Sequence, residues 1–447
     1  MSQVRRRDES YNLAEPKALT RLTEVNSHVN DALPRPLNAT PAARRSPWPR
    51  LVAFFAIAGP GLVVMLADTD AGSVITAAQS GARWGFKLLA LQVLLVPILF
   101  VVQELTVRLG LTTGRGHGEL IRLRFGAAWA WISVSTLMVA CLGALVTELS
   151  GVAGVGLLFG VPAWISVLLT VALLVSVVWT GSYRSVERVA IFVGAFELIF
   201  LGVAWLSHPQ IGLLADGVAH PPLGNRTYLY LAAANIGAVI MPWMVFYQQS
   251  AVVDKGLDVR HLRAARWDTA IGAIITQVIM AAVLIATAAT IGRHNPGAPL
   301  NTVQQISQAL VPFLGENVGR VLFALGMIGA SLVAAIVVSL TAAWGLGEVL
   351  CYRRSLEHCP REAPWFYGVF TTALVLGGLL VASGINLVDL SVAVEVMNAL
   401  LLPIVLGFLY MLAVKALPAP YRLRGWYAVV VAVLMVATAG FGVYAAL

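Results

Sequence analysis

The sequence predicts an all-α integral membrane protein of about eleven transmembrane helices, and three observations carry that prediction. Of 447 residues, 59% are hydrophobic and only 12% charged, with a mean hydropathy of +0.81, outside the range of water-soluble globular chains. The apolar residues come in runs of about 20 or more, enough to cross the hydrocarbon core of a bilayer. Two runs, the first and the sixth, are interrupted in mid-span by polar or helix-breaking residues.

Taken in order, the spans read 51–79 (broken at 68–72), 86–108, 127–155, 161–180, 188–207, 228–251 (broken near 242), 268–291, 318–349, 365–384, 387–414 and 426–446. Residues 1–50 form a polar tail with Arg5-Arg6-Arg7 and Ala43-Arg44-Arg45 near its ends, whose composition predicts disorder. The apolar run that follows is too long for the core of a signal peptide. Between the second and third spans, 114–125 mixes Glu119, Arg122 and Arg124 with Leu120, Ile121 and Leu123, the pattern of an amphipathic interfacial helix.

Lysines and arginines set the orientation. Sixteen of them, from Arg108 to Arg424, fall in loops and span edges on the side of the N-terminus, against five (Arg83, Lys87, Arg226, Arg293 and Arg320) on the other. That bias predicts a cytoplasmic N-terminus. The formal charge of +8 is spread over these loops and forms no patch suited to nucleic acid. Three cysteines give no disulfide framework, and Cys351, His358 and Cys359 read as an ordinary loop. No spacing in the spans suits a nucleophile triad or a histidine-rich zinc site, so an enzyme is not expected.

The first interruption places Asp68, Thr69, Asp70, Gly72 and Ser73 where the middle of a span should be. An ionised side chain at the bilayer centre costs roughly 3 kcal/mol or more, so such residues face a cavity and carry function. Small and polar neighbours predict an unwound helix, whose free carbonyls add oxygen ligands to the carboxylates. This reads as a cation site with Asp70 at its centre; Asp68 either joins it or only braces the broken turn. In the sixth span Pro242 removes a backbone donor and frees carbonyls one turn earlier. Two interruptions five spans apart suggest two inverted five-helix repeats, about 51–207 and 228–415, with the substrate between them and 426–446 as an additional helix.

The remaining span acids sort by their neighbours. Glu104 lies four residues from Arg108 and is expected to pair with it. Asp268 and Glu348, near Arg266 and Arg353-Arg354, read as solvated interfacial charges. Glu197 has no sequence partner, and a structural role is as reasonable as a functional one. Gln248, Gln249 and Ser250, near the second interruption, are either ligands or interhelical hydrogen-bonding residues, the latter being the plainer reading.

These residues resemble the NRAMP family of divalent-metal transporters over about 51–415. That family carries Asp-Pro-Gly-Asn in its first helix and, after a fixed interval, Gly-Ala-Arg-Phe-Gly; here Asp70-Ala71-Gly72-Ser73 precedes Gly81-Ala82-Arg83-Trp84-Gly85 at the same interval. Leu109-Gly110 through Thr113-Gly114-Arg115 to Glu119-Leu120, and Leu157-Leu158-Phe159-Gly160-Val161-Pro162, are also similar to family segments. The departures are specific: Ala71 and Ser73 replace the family proline and asparagine, and Leu145 replaces an aspartate one turn before Glu148. In the sixth helix, alignment on Met241-Pro242 puts Trp243 at the first family histidine. Alignment on Tyr247 to Ser250 instead puts Gln249 at the second. Anchored on Pro403, the family's metal-proximal glutamine falls at Glu395. The pattern is similar to the NRAMP-related magnesium transporters of bacteria.

The resemblance implies a LeuT-like 5+5 inverted repeat with broken helices 1 and 6, in the plasma membrane of a bacterium, moving divalent cations by alternating access. Implied ligands are Asp70, Ser73, Asp68, the backbone of Ala67 and Ile240, Met241, Gln248, Gln249 and Glu395, with Glu148 in a proton or gating role. Oxygen ligands favour a hard ion, Mg²⁺ first and Mn²⁺ also accepted, as transported substrate rather than resident cofactor. None of the seven histidines falls in a span, so obligatory proton coupling is not expected. A monomer is expected. The alternatives are a proton-coupled Mn²⁺/Fe²⁺ transporter and, on the same fold, a carrier of amino acids or organic solutes.

Overall fold

Asp70 begins the second half of a broken helix. Its backbone is extended (φ −70°, ψ 174°), and its carboxylate accepts the Ser73 N–H at 2.6 Å, an N-cap that starts α2 (Ala71–Trp84). On the other side of the gap, the Thr69 hydroxyl donates 2.8 Å to the Leu66 carbonyl and closes the C-terminal end of α1 (Pro60–Asp68). The interruption expected at 68–72 is therefore a two-residue gap, Thr69–Asp70, made by side chains that compete with the helical ladder.

The computed structural model describes residues 60–180, 192, 194–209, 211–294, 297, 299–308, 315–356, 358–382 and 386–447. All of them belong to one unit of the chain, Val52–Leu447. The expected tail, the start of the first span, and Arg184 and Arg188 at the head of the fifth lie outside the described residues.

After α2, a 3₁₀ turn (Gly85–Leu88) leads into α3 (Leu89–Thr113), the interfacial α4 (His117–Phe125), α5 (Ala127–Leu158) and α6 (Ala163–Thr180). A 3₁₀ turn (Ala195–Leu198) and α7 (Ile199–Leu206) hold the described part of the fifth span. Next comes α8 (Ile211–Ala219), followed by the second interrupted span, α9 (Arg226–Val239) and α10 (Pro242–Asp254). The chain continues with α11 (Leu262–His294), α12 (Val303–Gln308), α13 (Glu316–Leu350), α14 (Pro364–Ala382), α15 (Leu387–Lys415) and α16 (Gly425–Ala446). Among the described residues eight helical stretches are long and apolar enough to cross a membrane, each interrupted or turn-linked pair counted once, and Ala163–Trp179 and Ala195–Leu206 are shorter apolar helices. The short α8 and α12 lie between spans and were not expected from hydropathy.

Beside two small apolar clusters, two large ones fill most of the interior. One gathers Met65, Trp243, Phe246, Trp344, Phe366 and Phe370; the other gathers Ile75, Leu88, Ile279, Phe200 and Phe323. The chain passes from the first cluster to the second between Ala67 and Ala71, so the polar residues of the first interruption sit at their seam. Around it α2 packs along α11, α5 along α13 and α9 along α15.

Candidate metal-ion site

Five acids from four parts of the chain meet at this seam: Asp68 and Asp70 at the first interruption, Glu148 on α5, Glu197 in the 3₁₀ turn before α7, and Glu395 on α15. Each is at most 1% exposed. Asp70 repels Asp68, Glu148, Glu197 and Glu395, and none of the five has a basic side chain among the groups that act on it. Buried like charges without a basic partner call for a cation or a proton between them.

The hydrogen bonds show which oxygens are spoken for. Glu148 Oε2 accepts the Ala71 N–H at 3.1 Å, tying α5 to the first turn of α2. Glu395 Oε2 accepts from Asn398 at 3.0 Å. Glu197 meets the Thr69 hydroxyl inside the gap itself. Among the described residues no N–H or hydroxyl donor reaches Asp70 Oδ2, either oxygen of Asp68, Glu395 Oε1 or Glu197 Oε1; the carboxyl groups of Asp70 and Glu148 lie within hydrogen-bonding reach of each other, so a proton on either would join them. The Thr276 hydroxyl spends its hydrogen on the Met65 carbonyl at 2.7 Å rather than on Asp68. Of the four carbonyls that α1 leaves open at its end, those of Met65 and Leu66 are thus capped by hydroxyls. Among the described residues, no side-chain donor takes those of Ala67 and Asp68.

The second interruption completes the frame. Ile240 and Met241 separate α9 from α10, which Pro242 opens at its first position, where its missing N–H costs nothing. The Ser73 hydroxyl donates 2.9 Å to the Ala238 carbonyl, joining the two gaps. Two glycines bring Glu395 in: a Cβ on Gly72 would strike its Oε1, and a Cβ on Gly237 would strike its backbone, so only glycine lets α2 and α9 close on α15 here. Among the described residues no three His, Cys, Asp or Glu side chains are grouped to hold one ion between them. Carboxylates alone make no cage here, and carbonyls or water must complete any coordination shell.

The profile of the family described as Natural resistance-associated macrophage protein-like (Nramp) matches residues 61–447. The chain belongs to the Nramp family. It is 29% identical over 355 residues to the divalent metal cation transporter MntH of Yersinia enterocolitica, covering 74% of this chain and 83% of that one. To the protein of that name in Brucella suis it is 30% identical over 298 residues, 63% and 64% of the two chains. Among solved structures it superposes on the manganese transporter of Eremococcus coleocola with a TM-score of 0.71 at 20% identity, over 92% of this chain and 89% of that one. It superposes on MhsT, bound to L-phenylalanine, at 0.60 and 13% identity, over 87% and 98%. These likenesses show the LeuT-like fold with its broken first and sixth helices, as expected.

In this Nramp chain the structure brings Asp68, Asp70, Ser73, Ala67, Ile240, Met241, Glu148 and Glu395 to the two gaps or against them. Gln248 and Gln249 are instead tied through their amide nitrogens to other partners, Gln248 leaving its Oε1 without a donor among the described residues. Gln248 donates 3.0 Å to Thr269, which lies against Gly61 at the far end of α1; Gln249 is engaged with Arg115 and His117. Met241 is at the gap, but its sulfur accepts the Trp243 indole N–H at 3.0 Å.

Two expectations are corrected. Asp268 and Glu348 are not solvated: at 5% and 1% exposure, Asp268 accepts the Gly61 N–H (2.9 Å) at the start of α1. Glu348 accepts the Gly118 N–H (2.7 Å) at the start of α4 and the Ser250 hydroxyl (2.5 Å). Both satisfy helix N-termini that would otherwise hold buried, unpaired donors. Glu104 pairs with Arg108 as expected and with Arg266 as well.

One acid of the site, Glu197, stands outside the expected ligand set, and one buried residue away from the gaps, His117, carried no expectation of its own. Glu197 contacts the gap from another span, and only a long-range contact reveals it. His117, outside every span, is fully buried against Gln249 and Phe246. Burial pushes its imidazole down to about 4, so it is neutral near pH 7.

Proposed function

We propose that this chain carries divalent cations across a bacterial plasma membrane by alternating access, Mg²⁺ first and Mn²⁺ also accepted, without obligatory proton coupling. The observation that carries the reading is the set of buried carboxylate oxygens without donors, Asp70 Oδ2, both of Asp68 and Glu395 Oε1, at the gaps of two interrupted helices. Ionised carboxylates left in that state are unfavourable by several kcal/mol each, and a divalent ion between them offsets this.

Hard-ion preference follows from the donor set. Every free donor at the gaps is an oxygen, and Mg²⁺ takes oxygen ligands while keeping several of its waters. The one soft atom, Met241 Sδ, is held by the Trp243 indole, and Ser73 leaves room where the family asparagine would stand. Proton coupling would need a titrating relay from the site; the residue before Glu148 by one turn is Leu145, and the buried His117 is a neutral ring paired with an amide. Asp70 is the central ligand, with Asp68, Ser73, Glu395 and the carbonyls of Ala67 and Ile240 around it. The tail 1–50 and the Arg108-bearing side are cytoplasmic, and one chain is the working unit.

A second reading, a proton-coupled Mn²⁺/Fe²⁺ transporter, is favoured by the relatives' names and by Glu148, which lies against Asp70 and is free to carry a proton. Competition separates the two. Millimolar Mg²⁺ should inhibit Mn²⁺ uptake into proteoliposomes and itself be carried; Mn²⁺ uptake that ignores millimolar Mg²⁺ and acidifies the lumen selects the second.

A further inference from the structure

Two glutamines hold the half-helices that lead away from the central acids. Gln79, in the third turn of α2, pairs reciprocally with one backbone unit: the Leu300 N–H donates to its Oε1 at 2.7 Å, and its Nε2 donates to the Leu300 carbonyl at 3.3 Å. Gln249, in the third turn of α10, donates from Nε2 to the Arg115 carbonyl at 2.9 Å, and its Oε1 lies 3.0 Å from His117 Nδ1. Neutral His117 meets it as an N–H donor at Nδ1, since the amide oxygen only accepts.

The two contacts are related in the way the two repeats are. Leu300 lies in the connection between α11 and α13, just ahead of the short α12; Arg115 and His117 lie in the connection between α3 and α5, at the start of the short α4. Each glutamine thus joins the second half of one broken helix to the connection between the second and third spans of the other repeat. One contact stands on the side of α12, the other on the side of α4, and the five acids are sealed between them. Gln79, Leu300, Gln249 and His117 are each at most 6% exposed.

We infer that Gln79 and Gln249 are the paired clasps of the two gates, one closing each face of the transport path, with both shut in this occluded conformation. Amide-to-backbone bonds suit the task. Each is worth about 1 kcal/mol net, so one breaks within a transport cycle, yet leaving a buried amide unpaired costs about 1–3 kcal/mol, which favours a gate that is either clasped or open to water. A purely structural polar contact has no reason to recur at the symmetry-related position with a side chain of the same type.

This inference rests on the alternating-access reading, and the test keeps the two apart. In the full chain in lipid nanodiscs, hydrogen–deuterium exchange is followed at 299–303 and at 114–118. Gln79→Met should raise exchange at 299–303 by about tenfold, since the Leu300 N–H loses the acceptor that protects it, and slow it at 114–118, because opening one face closes the other. Gln249→Met should do the reverse. An increase confined to the substituted side, or increases on both sides, overturns the inference. Gln79→Asn and Gln249→Asn, which keep the amide one methylene short, replace the methionine variants if those do not fold. Metal flux by the wild type without reciprocal exchange rejects the clasps alone; reciprocal exchange without any metal flux rejects the cargo and leaves the clasps.

Discussion

The Ser73 hydroxyl donates 2.9 Å to the Ala238 carbonyl, so the first turn of α2 caps the open end of α9. Both residues are buried, and the bond links the two interruptions directly. Ser73→Ala leaves that carbonyl without its donor, at a cost of about 1–3 kcal/mol. Thermal melting in detergent should show Ser73→Ala below the wild type and Ser73→Thr, which keeps the hydroxyl, closer to it.

Glu148 serves two ends at once: Oε2 accepts from Ala71 N–H, and its carboxyl group faces Asp70. Glu148→Gln keeps an acceptor and removes the charge, so it should fold normally and bind Mn²⁺ about tenfold or more weakly, given the strength of buried charge interactions. Glu148→Ala should lose the same affinity and also melt lower, since a buried N–H is left unmet at about 1–3 kcal/mol. Calorimetric Mn²⁺ titration and melting of the two variants separate these effects.

If the Met241 sulfur is occupied by Trp243, it plays little part in choosing the ion. Met241→Leu conserves volume and should cost under about 1.5 kcal/mol of stability. The ratio of Mg²⁺ to Mn²⁺ uptake should stay within about twofold of wild type. A large rise in that ratio would mean that the thioether coordinates the cargo.

His117 gives a pH dependence with a definite sign. Its folded value is pushed down to about 4 by burial, below the ordinary 6.5 of an exposed imidazole. Between those values the unfolded chain binds the extra proton, so the contribution to stability is complete above pH 6.5 and is lost as pH falls toward 4. The full effect is about 3 kcal/mol by proton linkage. The fall in melting temperature from pH 7 to pH 5 should be smaller in His117→Asn than in the wild type.

Much of this was legible in the sequence, and what was not has a common cause. Hydropathy located the spans, and the rarity of mid-span acids located the first gap to within two residues, because both signals are local. Pro242 marked the second gap for the same reason. The partners of Asp268 and Glu348 were not legible, since Gly61 and Gly118 offer bare N–H groups that no residue type announces. Glu197 looked isolated because Thr69 lies 128 residues away along the chain. Gln249 drew attention through its resemblance to a ligand position, whereas its contacts place it with Arg115 and His117; nothing local distinguishes an amide facing an ion from one facing a backbone.

The central claim is that Asp70 anchors a divalent cation in transit, and uptake into proteoliposomes loaded with a Mg²⁺-sensitive dye tests it most directly. Wild-type chain should carry Mg²⁺ inward under an inside-negative potential, worth about 2.3 kcal/mol per charge per 100 mV. Asp70→Ala, incorporated to the same level and folded by its melting curve, should carry none. Undiminished Mg²⁺ uptake by that variant, or no divalent flux by the wild type, would contradict the account.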